Sequence, residues 1–286
     1  MNKKTVVILG ATGMIGNTIY LSFKNDERFY AIGTSRDKVE LETLHVDDFQ
    51  ISLKRIIRKY EKIDCIINCI GNTTKYSSVN DLIEVNSLFP QNLAKSLLTN
   101  QLNLIHISSD AVYSIDTKDA DETTTPTPDT LYGASKLLGE PNTLNCISIR
   151  TSIIGMDNNK NDSLLDWARK TKKGKIFGYT NHNWSGCTSL QLADFCKELI
   201  FNWNKKTRKL GSFINFAPIQ SKSKYEILNA AHKLNIVKAK VIRKKNTNTI
   251  IRNLSSIYFD KMNIGAYTND IIKALEELKE FNNKYE

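Results

Sequence analysis

Tyr132 and Lys136 stand four residues apart in YGASKLLGE (132–140). The segment is rich in helix formers, so both side chains leave one helical face about one turn apart. A phenol titrates near ~10 and exchanges a proton at neutral pH only where its anion is stabilised, which a cation held beside it does. Each unit of that shift requires about 1.4 kcal/mol, within the reach of a half-buried ammonium. The pair reads as a proton donor with its electrostatic support, although a surface helix whose Tyr and Lys merely share a face has the same spacing. Upstream, LIHISSDAVYS (104–114) is an apolar run ending in Ser108, Ser109 and Asp110. This is the pattern of a buried strand that delivers hydroxyls at its C-terminal edge.

Elements that would position these groups are legible from the N-terminus onward. TVVIL (Thr5 to Leu9) reads as a strand buried on both faces, followed by GATGMIG and the amphipathic segment Asn17 to Lys24. In that setting Gly10 allows a tight turn, Gly13 lets backbone amides approach a pyrophosphate, and Gly16 lets the helix pack closely on the strand. The glycines at 10, 13 and 16 differ in spacing from the commoner dinucleotide fingerprint, and a strand-to-helix turn without ligand would also accommodate them. A second strand around Tyr30 to Thr34 ends in GTSRDK. Ser35, Arg36 and Lys38 there favour the additional phosphate of NADP(H) over the free ribose of NAD(H). Asp37, one position away, keeps NADH open as an alternative. After LHVDD come a helix over Leu53 to Lys59 and the buried strand in DCIINCIGNTT, whose loop (Cys69, Ile70, Gly71) can lie along a cofactor. A helical stretch from Val79 to Asn100, holding Asn86 and Pro90, precedes the strand that bears Ser109. The alternation predicts an α/β fold, a doubly wound parallel sheet with its ligand crevice at the carboxyl ends of the strands.

With 286 residues, 41% of them hydrophobic and 24% charged, the chain suffices for one large core plus a smaller unit. We expect a Rossmann-type domain over 1–150, to which the chain returns near 185–215, and a smaller C-terminal subdomain within 151–286. Five cysteines, Cys65, Cys69, Cys146, Cys187 and Cys196, form no CxxC pair, and His45, His106, His182 and His232 are scattered. That usage predicts buried free thiols and neither a disulfide framework nor a metal site. Residues 1–150 carry 16 Lys and Arg against 18 Asp and Glu, net −2, whereas 151–286 carry 24 against 12, net +12. The basic half suits an anionic ligand such as a nucleotide diphosphate, or is simply a lysine-rich surface. Lys238 to Lys245 lack the interleaved aromatics of a nucleic-acid site, so no nucleic-acid partner is expected. Only a four-residue apolar run, Val6 to Leu9, precedes Gly10, too short for a signal-peptide core or a membrane span, so a cytoplasmic protein is expected.

Taken together, GATGMIG, SSDAVY and YGASK resemble the extended short-chain dehydrogenase/reductase family. Within it, DETTTPTPDTLYGASKLLGE, SIRTSIIG and WSGCTSLQLAD are most similar to the dTDP-4-dehydrorhamnose reductase branch and its nucleotide-sugar relatives. The resemblance implies that Tyr132 is the catalytic acid, that Lys136 lowers its pKa and holds the nicotinamide ribose, and that Ser109 polarises the substrate carbonyl. It makes Gly10, Gly13 and Gly16 the pyrophosphate turn, with backbone contacts from Thr12, Met14 and Ile15. Where the branch commonly has an aspartate in its adenine-contacting loop, His45 stands here, which leaves Val46 and Asp47. Where a Trp often follows the RTS triplet, Ile153 stands. The substrate side would comprise Asp110, Ser152, Ile153 and Trp184, the indole stacking on a nucleobase or serving as a partial core anchor.

Further expectations are a helix over Ser163 to Lys172 covering the sugar, a returning loop in GYTNHNWSGCTS, and a helix over Ser189 to Asn202. Lys222, Lys224 and Arg252 are candidate diphosphate partners or plain surface. The implied activity is an NADP(H)-dependent reduction of a nucleotide-activated 4-keto-deoxysugar in cell-surface polysaccharide synthesis, with a homodimer compatible with the family. A nucleotide-sugar epimerase or dehydratase with tightly held cofactor is one alternative. A non-catalytic subunit is another, because the branch resembles the regulatory subunit of methionine adenosyltransferase.

Overall fold

The computed structural model describes residues 3–60, 62–73, 77–156, 163–171, 174–203 and 211–285. In chain order the first elements are β1 (Lys4–Leu9), α1 (Met14–Lys24), β2 (Phe29–Ser35), β3 (Glu42–Thr43), α2 (Phe49–Lys59), β4 (Cys65–Asn68) and α3 (Val79–Ile83). A π turn (Glu84–Leu88) joins α3 to α4 (Phe89–Thr99), followed by β5 (Asn103–Ile107), a 3-10 turn (Asp110–Val112), α5 (Leu131–Leu138) and β6 (Cys146–Arg150). Then come β7 (Ile153–Ile154), α6 (Leu164–Lys170), β8 (Lys175–Tyr179), β9 (His182–Thr188), α7 (Ser189–Phe201) and β10 (Phe213–Asn215). The last are β11 (Ile219–Ser223), α8 (Lys224–Lys233), β12 (Lys240–Lys244), β13 (Ile250–Arg252) and α9 (Ile271–Tyr285).

Two compact units emerge: residues 1–112, 126–150 and 193–214 form the first, and 113–125, 151–192 and 215–286 the second. The first unit carries a seven-stranded sheet in the order β10-β6-β5-β4-β1-β2-β3, and every pairing from β3 across to β6 is parallel. Strands of such a sheet are covered on both faces, and Val6 to Leu9 and Cys65 to Asn68 are accordingly buried at successive positions rather than alternate ones. Helix α2 places Phe49, Leu53 and Ile56 at spacings of four and three, one stripe against Val7, Ile66 and Leu93. The chain steps from β1 outward to β2 and β3 and then returns to β4 on the other side of β1. This reversal opens a ligand crevice at the carboxyl ends of β1 and β4 in doubly wound sheets. The Rossmann-type, doubly wound parallel sheet expected from the sequence is thus the fold observed.

The second unit has a four-stranded sheet, β11-β9-β13 with β7 also on β9, and a separate β12-β8 pair. Its core gathers Leu165 and Ala168 of α6, Ile227 and Ala231 of α8 and Ala274 and Leu275 of α9. Glu122 ties the 113–125 segment into this unit, accepting from Asn215 N at 2.8 Å and Ser256 Oγ at 2.6 Å. GYTNHNWSGCTS, expected as a loop, instead supplies the end of β8 and all of β9. Its Gly and Asn content gives little local strand preference, and pairing with three neighbouring strands overrides it. The expected helix over Ser163 to Lys172 is Leu164–Lys170, capped by Ser163, with Lys172 outside the described residues. Among the described residues no helix is long and apolar enough to cross a membrane.

Candidate active site

β1 ends at Leu9 and the chain reverses at Gly10, whose φ of +76° lies in the left-handed region that side chains rarely adopt. A Cβ there would press on Ile70 Cγ1 at 3.0 Å, so the turn lies directly against the loop that follows β4. At Gly16 a Cβ would overlap Gly10 O, which is how closely α1 starts to the strand end. Gly13 is the N-cap of α1, and no side chain caps this helix. The first-turn amides at Met14, Ile15 and Gly16 are therefore available to an anion, and the positive end of the helix favours one. Gly10 N donates to Thr34 Oγ1 at 3.3 Å and Ala11 N to Thr34 O at 3.0 Å, so β2 fastens the turn. Thr12, Met14 and Ile15 are partly exposed around it. An uncapped helix start reached through a glycine turn fits the pyrophosphate of a dinucleotide.

Ser35 is buried and its Oγ accepts from Lys38 N at 2.8 Å, which shapes the turn after β2. Arg36, Asp37 and Lys38 are all exposed there. Val46 and Ile70 pack against the same core, while His45 and Asp47 face solvent. Cys69 N donates to Leu9 O at 3.1 Å, which draws the end of β4 to the end of β1. Burial pushes the Cys69 thiol up to about 12, with the Lys136 ammonium pulling the other way.

Three residues at the end of β5 meet α5. Lys136, 4% exposed, donates from Nζ to Ile107 O at 2.8 Å. Ser109 Oγ lies 3.2 Å from Asp110 Oδ1 and accepts from Ala111 N at 3.1 Å. It also forms a hydrogen bond with the Tyr132 phenol that works to lower the phenol pKa. On balance the phenol is raised above its ordinary value, by burial first and by the Asp110 carboxylate as well. Lys136 is lowered from 10.5 to about 8, chiefly by burial, with Glu140 and Cys69 opposing. The spacing expectation set the ammonium to depress the phenol. In the structure it is the Ser109 hydroxyl that does so, and the ammonium is turned to the backbone carbonyl of Ile107.

Helix α5 starts where Thr130 Oγ1 accepts from Gly133 N at 3.0 Å. A Cβ at Gly133 would overlap Ala111 O, and one at Gly139 would overlap Asn86 O. These glycines seat the helix against the 3-10 turn at one end and the π turn at the other, so Tyr132 is held beside Ser109. Asn86, fully buried in the π turn, accepts from Asn72 N at 2.8 Å and donates to Asn72 O at 2.9 Å and to Ser135 Oγ at 3.0 Å. It locks the loop after β4 to α5. At Gly71 in that loop a Cβ would lie 3.8 Å from Lys136 Nζ. Gly10, Ile70, Gly71 and Lys136 thus link the glycine turn to the cluster of Ser109, Tyr132 and Lys136. Sequence reading did not single out Asn86, Gly133 or Gly139 for these roles. The signal available was Gly133 inside a short helix, where it costs about 1 kcal/mol relative to Ala unless packing requires it, whereas Gly139 reads as an ordinary helix end.

Within the second unit, Ser152, Ile153 and Trp184 are brought together. Ile153 pairs with Cys187, Cys187 N donates to Ser152 O at 3.0 Å, and a Cβ at Gly186 would overlap Ser152 O and touch Trp184 Cζ2 at 2.5 Å. Trp184 sits mid-strand in β9, half-buried against Ile154 and its core neighbours, in register with Lys222 on one side and Arg252 on the other. Lys224 feels the Arg252 charge, which lowers its pKa after burial does.

The sequence pattern of the NAD dependent epimerase/dehydratase family matches residues 6–148, half of the chain. Over 146 residues the chain is 31% identical to methionine adenosyltransferase 2 subunit beta of Xenopus tropicalis, a match covering 48% of this chain and 42% of that protein. The chain thus spans less than half the length of the curated relatives it matches. Among solved structures, the dTDP-4-dehydrorhamnose reductase of Bacillus anthracis in complex with NADP superposes with a TM-score of 0.75 at 18% identity, over 97% of this chain and 99% of that one. MoeE5 in complex with UDP-glucose and NAD gives a TM-score of 0.75 at 14% identity, over 98% and 99%. At these identities the likeness to the solved structures is one of fold.

Proposed function

The chain belongs to the NAD dependent epimerase/dehydratase family, and on that premise we propose that it is an NADP(H)-dependent reductase of a nucleotide-activated 4-keto-deoxysugar, acting in the cytoplasm in cell-surface polysaccharide synthesis. The observation that carries the reading is the convergence of Ser109, Tyr132 and Lys136 at the end of β5, one loop away from the uncapped glycine turn. Gly10, Gly13 and Gly16, with the amides of Met14 and Ile15 and the backbone at Thr12, hold the pyrophosphate. Arg36 engages the additional phosphate beside Ser35. Val46, Asp47, Cys69, Ile70 and Gly71 line the adenosine and nicotinamide sides. For the nucleotide sugar, Asp110 is the candidate contact in the first unit, and Ser152, Ile153 and Trp184 are those in the second, where Lys222 and Arg252 flank the indole as candidate diphosphate partners.

Bound there, a nicotinamide cofactor supplies the hydride. The protein's part is to manage the proton and the charge. A carbonyl oxygen gaining electrons needs a proton and a second hydrogen-bond donor, and Tyr132 and Ser109 are those donors. A phenol whose pKa is raised stays protonated at neutral pH, as an acid in the reducing direction must. Once its proton is given, the phenolate is left in a low-dielectric setting, where the hydrogen bond with the Ser109 hydroxyl supports it.

The test is a panel of dTDP-, UDP-, GDP- and CDP-linked 4-keto-sugars with NADPH. Stoichiometric NADPH oxidation with one of them is the expected result. Conversion without net NADPH consumption would assign an epimerase instead, and no conversion of any would overturn the reading. The likeness to methionine adenosyltransferase 2 subunit beta favours a second reading, a nicotinamide-nucleotide-binding regulatory subunit. That reading requires a stable complex with a catalytic partner and no NADPH oxidation on the panel.

A further inference from the structure

Beneath the catalytic helix lies a buried carboxylate that the reaction does not use. Glu140 follows α5 one turn after Lys136, is 6% exposed, and pairs with Arg150 of β6, itself 3% exposed. Arg150 Nη2 donates to Glu140 Oε2 at 2.6 Å and Nε to Oε1 at 2.9 Å, while Ser108 Oγ donates to Oε1 at 2.6 Å. Glu140 is fixed from the other side as well, since Gln91 Nε2 donates to its backbone oxygen at 3.0 Å. Ser108 stands between Ile107, whose carbonyl receives Lys136 Nζ, and Ser109, whose hydroxyl meets the phenol. One carboxylate therefore holds the segment that orients both groups. Desolvation of two buried ions generally offsets their attraction, so stability alone does not explain an ion pair at this place.

Resting on the roles given above to Ser109, Tyr132 and Lys136, we propose that Glu140 is a positioning residue: through Ser108 it fixes the end of β5, where the Ile107 carbonyl holds Lys136 and the Ser109 hydroxyl meets Tyr132, and it supplies a negative charge that acts on the ammonium. Other charged or titratable groups also face the ammonium. Cys69 comes from the end of β4 and His106 from within β5, while Arg150 of β6 is engaged by Glu140. Glu140 acts against burial to raise the Lys136 pKa. His106 is held neutral, its pKa lowered by burial and by Lys136, so it adds no charge near neutral pH.

The experiment follows the Lys136 ammonium by NMR in the full chain carrying isotopically labelled lysine, its resonance assigned by loss in Lys136→Met. In Glu140→Gln the amide still accepts from Ser108 but the charge is gone, and the Lys136 midpoint falls by roughly one unit, while Glu140→Asp restores most of the shift. Because Glu140→Gln leaves Arg150 without its counter-ion and can unfold the chain, Ser108→Ala provides a second readout. There the Ala111 amide, which donates to Ser109 Oγ, exchanges its hydrogen about tenfold faster as the turn loosens, with Leu104 to His106 still protected. A Lys136 midpoint unmoved in folded Glu140→Gln, or Ala111 exchange unmoved in Ser108→Ala, overturns the proposal. Neither readout needs turnover, so protein that reduces no keto-sugar would end the functional reading and leave this one standing on its own result.

Discussion

Burial lowers the Lys136 pKa from 10.5 to about 8, and the same shift states what this residue does to the fold. Below about pH 8 folded and unfolded chains both carry the ammonium, and the folded state bears the full desolvation penalty, about 3 kcal/mol. Between about pH 8 and 10.5 the unfolded chain holds more protons than the folded one, so stability rises with pH through that window. Lys136→Met should thus be more stable than wild type at pH 7, by less than about 3 kcal/mol because the bond to Ile107 O is lost. The advantage should fade above about pH 10.5. Urea titrations at the two pH values check this, and a less stable Met variant at pH 7 contradicts it. At the far end of the cofactor cradle, Arg36 is exposed beside Ser35. Arg36→Ala is expected to weaken NADPH binding by about tenfold, the loss of one charge-assisted contact, with NADH unchanged. Titration calorimetry with both cofactors decides it. That Tyr132, Lys136 and Ser109 come together at one strand end was legible, because two short motifs in order on a strand and a helix constrain where their side chains meet. Glu140, Arg150 and Asn86 were not, because no residue type or spacing marks their contacts, which tertiary packing alone brings together.

Helix α5 does its positioning through what it lacks. Gly133 and Gly139 leave no Cβ between the helix and the backbone oxygens of Ala111 and Asn86. Gly133→Ala should therefore push α5 off the 3-10 turn and destabilise the unit by about 3 kcal/mol, the upper end for overpacking because the neighbour is backbone. Turnover should fall more than stability alone explains, since Tyr132 moves with the helix. A Gly133→Ala protein with unchanged melting temperature and activity would show that this close approach is not what seats the helix. Strands β1, β4 and β5 could be read from continuous apolar runs, and the ends of α2 fell within a few residues of expectation. The π turn at Glu84–Leu88 could not be read, because nothing in EVNSL departs from ordinary helix. Strand β9 escaped for the opposite reason, its Asn, Ser and Gly residues being held in a strand by partners far along the chain.

At the scale of the whole chain, the doubly wound order of strands puts the turns after β1 and β4 at the point where the sheet reverses. That much was visible in the alternation of strand and helix patterns. The assignment of residues 113–125 to the second unit was not, because the contacts of Glu122 with Asn215 and Ser256 join segments about a hundred residues apart in the chain. The charge contrast of the two halves, net −2 before residue 151 and +12 after it, does not carry over to the units, because the acidic segment 113–125 joins the second and the basic segment 193–214 the first. The account depends most on one phenol that gives up its proton beside a nicotinamide. Its most direct test is Tyr132→Phe, assayed for NADPH affinity and for turnover of the responsive keto-sugar. We expect unchanged NADPH binding with kcat reduced by about two to four orders of magnitude, and turnover close to wild type would contradict the account.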